Sequence, residues 1–210
     1  MADWFRNKSW FDEIAGEFEK RLARAADPEQ YLKIQGYELL AHDPAAGAAL
    51  LERCAELDGY WRPAALLYLA QARLMLSDVD GAVDALDGAL ADEGRPDRVG
   101  TGARTDLALV VACYRIEDRY QEALRYLAEA NRRDGPHLAE ELAAEALIRT
   151  EIGDTEAARP KAAEALDLFG PLADGAFETA APGRPMPPVK FSELIGRLRA
   201  IAADGTQPRR

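Results

Sequence analysis

The run IEDRYQEALRYLAEA, Ile116 to Ala130, decides the fold. An acidic turn leads into a stretch in which Tyr120, Ala123, Leu124, Leu127 and Ala130 fall three or four residues apart, on one face of a helix. The phrase returns upstream as SDVDGAVDALDGAL, Ser77 to Leu90, and downstream as GDTEAARPKAAEAL, Gly153 to Leu166. Each copy sets a small residue shortly after the turn (Ala82, Ala123, Ala158) and another seven residues on (Ala89, Ala130, Ala165), and each follows a separate helical stretch. A helix–turn–helix unit recurring about every 34 residues or slightly more predicts an all-α solenoid, a superhelix of antiparallel helical hairpins. Ala82 and Ala123 are 41 residues apart, whereas Ala123 and Ala158 are 35 apart. The extra length is expected in the inter-hairpin loop EGRPDRVGTGART, where glycine and proline gather.

Working outward, SWFDEIAGEFEKRLARAA (9–26) predicts an amphipathic helix with Trp10, Ile14, Phe18 and Leu22 on one face, so residues 1–28 read as an N-terminal cap. Its early acids and its late Arg21 and Arg24 suit the helix dipole. Asp27-Pro28 and His42-Asp43-Pro44 start the next two helices, the first with a capping residue followed by proline. Hairpins are expected at about 29–59, 63–93, 104–134 and 139–169, with a kink or a later start at Pro160 in the last. The Gly- and Pro-containing stretch 170–190 reads as a loop packed across the end of the stack. Residues 191–204 read as a C-terminal capping helix with Phe191, Leu194, Ile195, Leu198 and Ile201 on one face, and 205–210 as a disordered tail.

The bulk chemistry removes several function classes. The formal charge is −11, against a pI near 4.8, so phosphate-neutralising nucleic-acid binding and docking on an anionic membrane are both disfavoured. No apolar run reaches the roughly 18–20 residues of a membrane span, and MADWFRNKSWFDE lacks the apolar centre of a signal peptide. Cys54 and Cys113 sit within apolar helical patterns and read as core residues of a protein in a reducing cytoplasm. Abundant alanine, with arginine well above lysine, points to a bacterial source with a GC-rich genome.

The spacing resembles the tetratricopeptide repeat, in which small residues let two helices approach and large ones fill the seam. A unit begun at Pro63 sets Leu66, Leu69, Ala70, Ala82, Leu86 and Ala89 on the family's positions, with Arg73 as a departure. One begun at Arg104 sets Leu107, Val110, Val111, Tyr114, Ala123, Leu127 and Ala130 there. One begun at Ala139 keeps Leu142, Ala146, Ala158 and Ala165, while Glu145, Arg149 and Ala162 break the large positions; an earlier unit fits through Gly47, Leu51 and Cys54. The chain also resembles bacterial repeat proteins that begin with a WFR…W stretch, here Trp4-Phe5-Arg6 and Trp10. The resemblance implies a concave groove lined by the first helix of each hairpin. It selects Leu67, Gln71, Leu74 and Met75, then Ala108, Ala112, Arg115 and Ile116, then Glu140, Leu147, Thr150 and Glu151. Apolar anchors among a few charges suit a peptide helix or strand, unless the C-terminal helix covers some of them. The lysine–asparagine clamp of the chaperone-binding subset has no counterpart, since only Asn7 and Asn131 occur.

Catalytic patterns are sparse. His42 and His137 stand at turns outside any HExxH or cysteine–histidine pattern, and Ser9, Ser77 and Ser192 read as helix caps. Asp78-Val79-Asp80-Gly81 lacks the third acid of a calcium loop. Gly100-Thr101-Gly102 lacks the strand and lysine of a phosphate loop. The expectation is therefore a non-catalytic protein-binding module, without metal or cofactor, that acts as a cytoplasmic adaptor or regulator. Two alternatives stand beside it: a homodimer or assembly through the Trp-containing N-terminal face, and a small-molecule site under the 170–190 loop.

Overall fold

Aspartate starts four of the helices. Asp27, Asp43, Asp78 and Asp154 each stand just before a helix, and each carboxylate accepts a hydrogen bond from a first-turn backbone N–H, of Gln30, Ala46, Gly81 and Ala157 respectively. A side-chain acceptor there satisfies an otherwise orphaned donor, and its charge suits the helix dipole. The structure, a computed structural model, describes residues 4–129, 137–170 and 191–203. Among these residues every regular element is helical. The elements are α1 (Asp12–Leu22), α2 (Pro28–Leu39), α3 (Pro44–Glu56), α4 (Arg62–Met75), α5 (Val79–Asp92), α6 (Ala103–Tyr114), a single 3-10 turn (Glu117–Arg119), α7 (Tyr120–Glu129), α8 (Leu138–Glu151), α9 (Thr155–Phe169) and α10 (Phe191–Ala203). None of the helices is long and apolar enough to cross a membrane. The loop expected over 170–190, the tail and part of the 104–134 hairpin, Ala130 included, lie outside the described residues, apart from Gly170 at the end of α9.

The chain divides into two units, Met1–Ala103 and Arg104–Arg210. In the first, α2 packs on α3, α3 on α4 and α4 on α5. The tightest crossing is between Gly36 and Gly47: a Cβ on Gly47 would stand 2.8 Å from the Gly36 carbonyl oxygen, and one on Gly36 would stand 2.7 Å from Leu51 Cγ. Leu39, Leu51 and Cys54 fill the seam beside them and are fully buried. The segment after α5 is tied down by Arg98, a buried side chain that donates to the carbonyls of Asp58 and Gly59 and to the Asp58 carboxylate. In the second unit α8 packs on α9, and α10 packs on both. Ala146, Ala158, Ala162 and Ala165 are completely buried.

Three hairpin turns share one geometry. Ser77 (φ 63°), Arg115 (φ 57°) and Gly153 (φ 85°) are left-handed. The next residue's N–H reaches back five residues: Asp78 to Arg73, Ile116 to Val111, and Asp154 to Arg149. This is the Schellman closure of a helix C-terminus. The three left-handed residues are 38 apart at both steps, while the first helices α4, α6 and α8 begin at Arg62, Ala103 and Leu138, 41 and then 35 residues apart. The uneven alanine spacing follows these starts, with residues 93–102 lying between α5 and α6 where the extra length is expected. Helix α6 is shorter than α4 and α8, and the 3-10 turn Glu117–Arg119 follows it before α7. Pro160 neither delays nor ends its helix: α9 begins at Thr155 under the Asp154 cap and runs on to Phe169, with the proline on its exposed side.

Because the atom facing Gly47 is backbone, no rotamer change relieves the clash. Gly47→Ala is expected to lower stability by about 1–3 kcal/mol. Gly16→Ala, in α1 with nothing within 4 Å of the added carbon, is expected to raise it by about 0.5–1 kcal/mol. Urea unfolding of both variants checks this pair, and equal effects would refute the close crossing.

Candidate functional site

In the second unit the anticipated groove residues fall into an exposed and a buried set. Arg115, on its left-handed turn, is 64% exposed and pairs with Glu151 at the end of α8 at 3.0 Å. Glu151 is shared with Arg197 of α10 at 3.4 Å, and Arg197 also donates to the Cys113 carbonyl of α6 at 3.3 Å. Arg115, Glu151 and Arg197 therefore make one cluster, with the C-terminal helix supplying its third member. Ile116 and Glu140 are half-buried. Leu147, Ala108 and Ala112 are closed off in the interior, and Thr150 turns its hydroxyl onto the Ala146 carbonyl. In the first unit Leu74 and Met75, at the end of α4, stay half-exposed, while Leu67 and Gln71 are buried. The Gln71 side-chain amide nitrogen has no hydrogen-bond partner among the described residues. The accessible members are thus Leu74, Met75, Arg115, Ile116, Glu140 and Glu151.

The N-terminal aromatics turn onto their own unit. Trp4 packs against Phe18 and Tyr31, with ring centroids 5.3 and 4.9 Å apart, and Trp10 stands edge-on to Phe18 at 5.4 Å. The segment is clamped by Gln35, which is fully buried. Its amide oxygen accepts from the Asn7 N–H at 2.9 Å, and its amide nitrogen donates to the Asn7 carbonyl at 2.7 Å. Beside Trp4 and Tyr31 opens a cleft of about 550 Å³ bordered by Glu17, Lys20 and Arg21 of α1 and by Arg24 in the turn after it. From sequence, Arg21 and Arg24 read as complements of the helix dipole. Two cations near a helix end are a weak sign of a cleft by themselves.

Among the titratable groups, Asp106 on α6 stands out. Burial, and to a smaller degree the nearby Glu140 carboxylate on α8, push its carboxyl up to about 7. Both thiols are pushed up to about 12, chiefly by burial, so neither is a nucleophile at neutral pH. The Cys54 thiol donates to the Glu29 carbonyl. Glu29 in turn is raised by burial and accepts from the Trp61 N–H at 2.8 Å. The Lys33 ammonium lies 3.3 Å from the centroid of the Trp61 ring. This second cluster ties α2, α3 and the start of α4 together. No group of three or more His, Cys, Asp or Glu among the described residues is placed to hold a metal ion. Compared with protein-family models, curated proteins and solved structures, the chain matches none.

The raised Asp106 makes a signed prediction. Its folded-state carboxyl titrates above its ordinary 3.8, so the cost of charging it is absent below that pH, builds as pH rises towards 7, and is constant above. Asp106→Asn removes that cost. The advantage of the variant should therefore grow by on the order of 2–4 kcal/mol between about pH 4 and pH 7.5. Urea unfolding at the two pH values measures it, and a difference independent of pH would rule out a buried charge at this position.

Proposed function

We propose that the protein is a non-catalytic binding module of the tetratricopeptide type, a right-handed superhelix of hairpins that acts as a bacterial cytoplasmic adaptor or regulator. In this reading a peptide or protein segment binds along the first helices of the hairpins. The fold part rests on the Schellman turns at Ser77, Arg115 and Gly153, evenly spaced by 38 residues, and on the buried small residues opposite them. The observation that carries the binding part is the Arg115–Glu151 pair. A left-handed arginine costs about 1 kcal/mol against glycine, and an ion pair this exposed returns little stability. Stability alone gives no reason to hold that side chain there. Its position at the mouth of the expected groove, with Ile116 beside it in the chain, suits recognition of a segment carrying both a charge and an apolar anchor. Leu74 and Met75 offer comparable apolar contact at the corresponding end of α4.

The test is selection of peptides from a random display library on the full chain, followed by titration against the charge-swapped variant Arg115→Glu with Glu151→Arg. The swap keeps positions 115 and 151 oppositely charged while reversing what a ligand meets, and Arg197→Glu added to it keeps the contact with position 151 attractive. Selected peptides should bind the wild type with Kd on the order of 1–100 μM and lose at least tenfold on the swap, with the helical circular dichroism unchanged. Equal binding to both proteins, or no enriched peptide at all, would overturn the groove reading.

A further inference from the structure

The cleft beside α1 brings together cations that no carboxylate among the described residues neutralises. With 37 acidic residues against 26 basic ones, a cation has carboxylates at hand nearly everywhere, and Arg6, Arg53, Arg62, Arg73 and Arg98 are all paired. Lys20 and Arg24 form no ion pair among the described residues, although they border one cleft. The acids nearest them in sequence are engaged elsewhere: Glu17 holds Arg21 at 2.8 Å, and Glu19 reaches across to Arg53 at 2.6 Å. Lys20 in the last turn of α1 and Arg24 in the turn just after it border the same cleft as like charges. The positive field is felt locally, since Glu17 is held below the usual carboxylate range, first by the Arg21 hydrogen bond and charge and then by Lys20 and Arg24. The aromatic wall of Trp4 and Tyr31 is fixed by the Gln35 clamp. A volume of about 550 Å³ lies within the range of ligand sites, roughly 300–1,000 Å³.

We propose that this cleft is a binding site for an acidic segment of a partner protein, with Lys20 and Arg24 taking its carboxylates and the Trp4–Tyr31 wall taking one apolar side chain. Charge complementarity selects the ligand: Lys20 and Arg24, with no ion pair among the described residues, border one cleft and attract an anion. The open side of the cleft suits an extended segment passing along α1. The site lies wholly in the first unit and is independent of Arg115 and Glu151, so its success or failure leaves the groove reading untouched.

The experiment is fluorescence anisotropy of the full chain with a labelled nine-residue peptide of glutamates around one central leucine, beside an all-lysine counterpart. Saturable binding of the acidic peptide alone is expected, weakened several-fold between 50 and 300 mM salt. Lys20→Glu with Arg24→Glu should weaken it at least tenfold. Arg104→Glu with Arg125→Glu, an equal charge change far along the sequence, should leave it within about twofold. Replacing the central leucine by serine should cost at least threefold. Equal loss in both double variants would reduce the effect to net charge, and no loss in the first would remove the cleft from the interaction; either overturns the proposal. Circular dichroism and urea unfolding report whether each variant is folded. Should the first variant unfold, Lys20→Gln with Arg24→Gln replaces it, with the same tenfold loss expected. Sedimentation in which the wild type self-associates, the Lys20/Arg24 variant does not and the peptide dissociates the complex would make a second copy the ligand, which also overturns it.

Discussion

The structure depends on how closely two helices of a hairpin can approach. At the α2–α3 crossing the backbones themselves nearly touch, since the Gly36 carbonyl stands where a Gly47 side chain would go. Such proximity lets leucines on either side interdigitate, and Leu39 and Leu51 are wholly buried there. The α4–α5 pair reaches the same end with alanines, Ala70, Ala82 and Ala89, and the α8–α9 pair with Ala146, Ala158 and Ala165. Close-packed interiors tolerate neither a void nor an extra methylene at such crossings. The small residues therefore set the spacing, and the large residues follow from it.

Much of the negative charge has an architectural use. Four aspartates cap helices. Others bind cations within the fold: Asp92 is buried between Arg62 and Arg95, and Glu145 sits between Arg149 and Lys161. These carboxylates fix helix starts and hold neighbouring segments together. Asp106 differs: burial, and to a smaller degree the Glu140 carboxylate, push this half-buried carboxyl towards its neutral form.

Helix faces were legible in the sequence because they depend on residues three and four apart. The longer gap between α5 and α6 was legible too, since each marker alanine lies 20 residues after the start of its first helix. The 3-10 turn before α7 was not, because it leaves that alanine spacing unchanged. The later start expected at Pro160 did not occur because the Asp154 cap already begins the helix at Thr155. At the candidate groove, the positions implied by the repeat resemblance include the exposed Arg115 and Glu151. They also include Leu67, Gln71 and Leu147, which are buried, because a position within a repeat says nothing of what else packs there. Arg197 escaped notice because its partner Glu151 is 46 residues away in sequence. The α1 cleft escaped because its cations satisfied a local rule about helix ends.

The hairpin design has a consequence for how the chain is made. Each of the pairs α2–α3, α4–α5 and α8–α9 is contiguous in sequence, so it can close soon after its second helix is synthesised, and such low contact order favours rapid folding. The Asn7–Gln35 clamp and the Arg98 anchor ask for partners only 28 and 40 residues away. The hydrogen bond from Arg197 to the Cys113 carbonyl spans 84 residues and waits for α10. Folding on the ribosome would then close the hairpins first, with the cluster at Glu151 acquiring its third charge only after α10 has emerged.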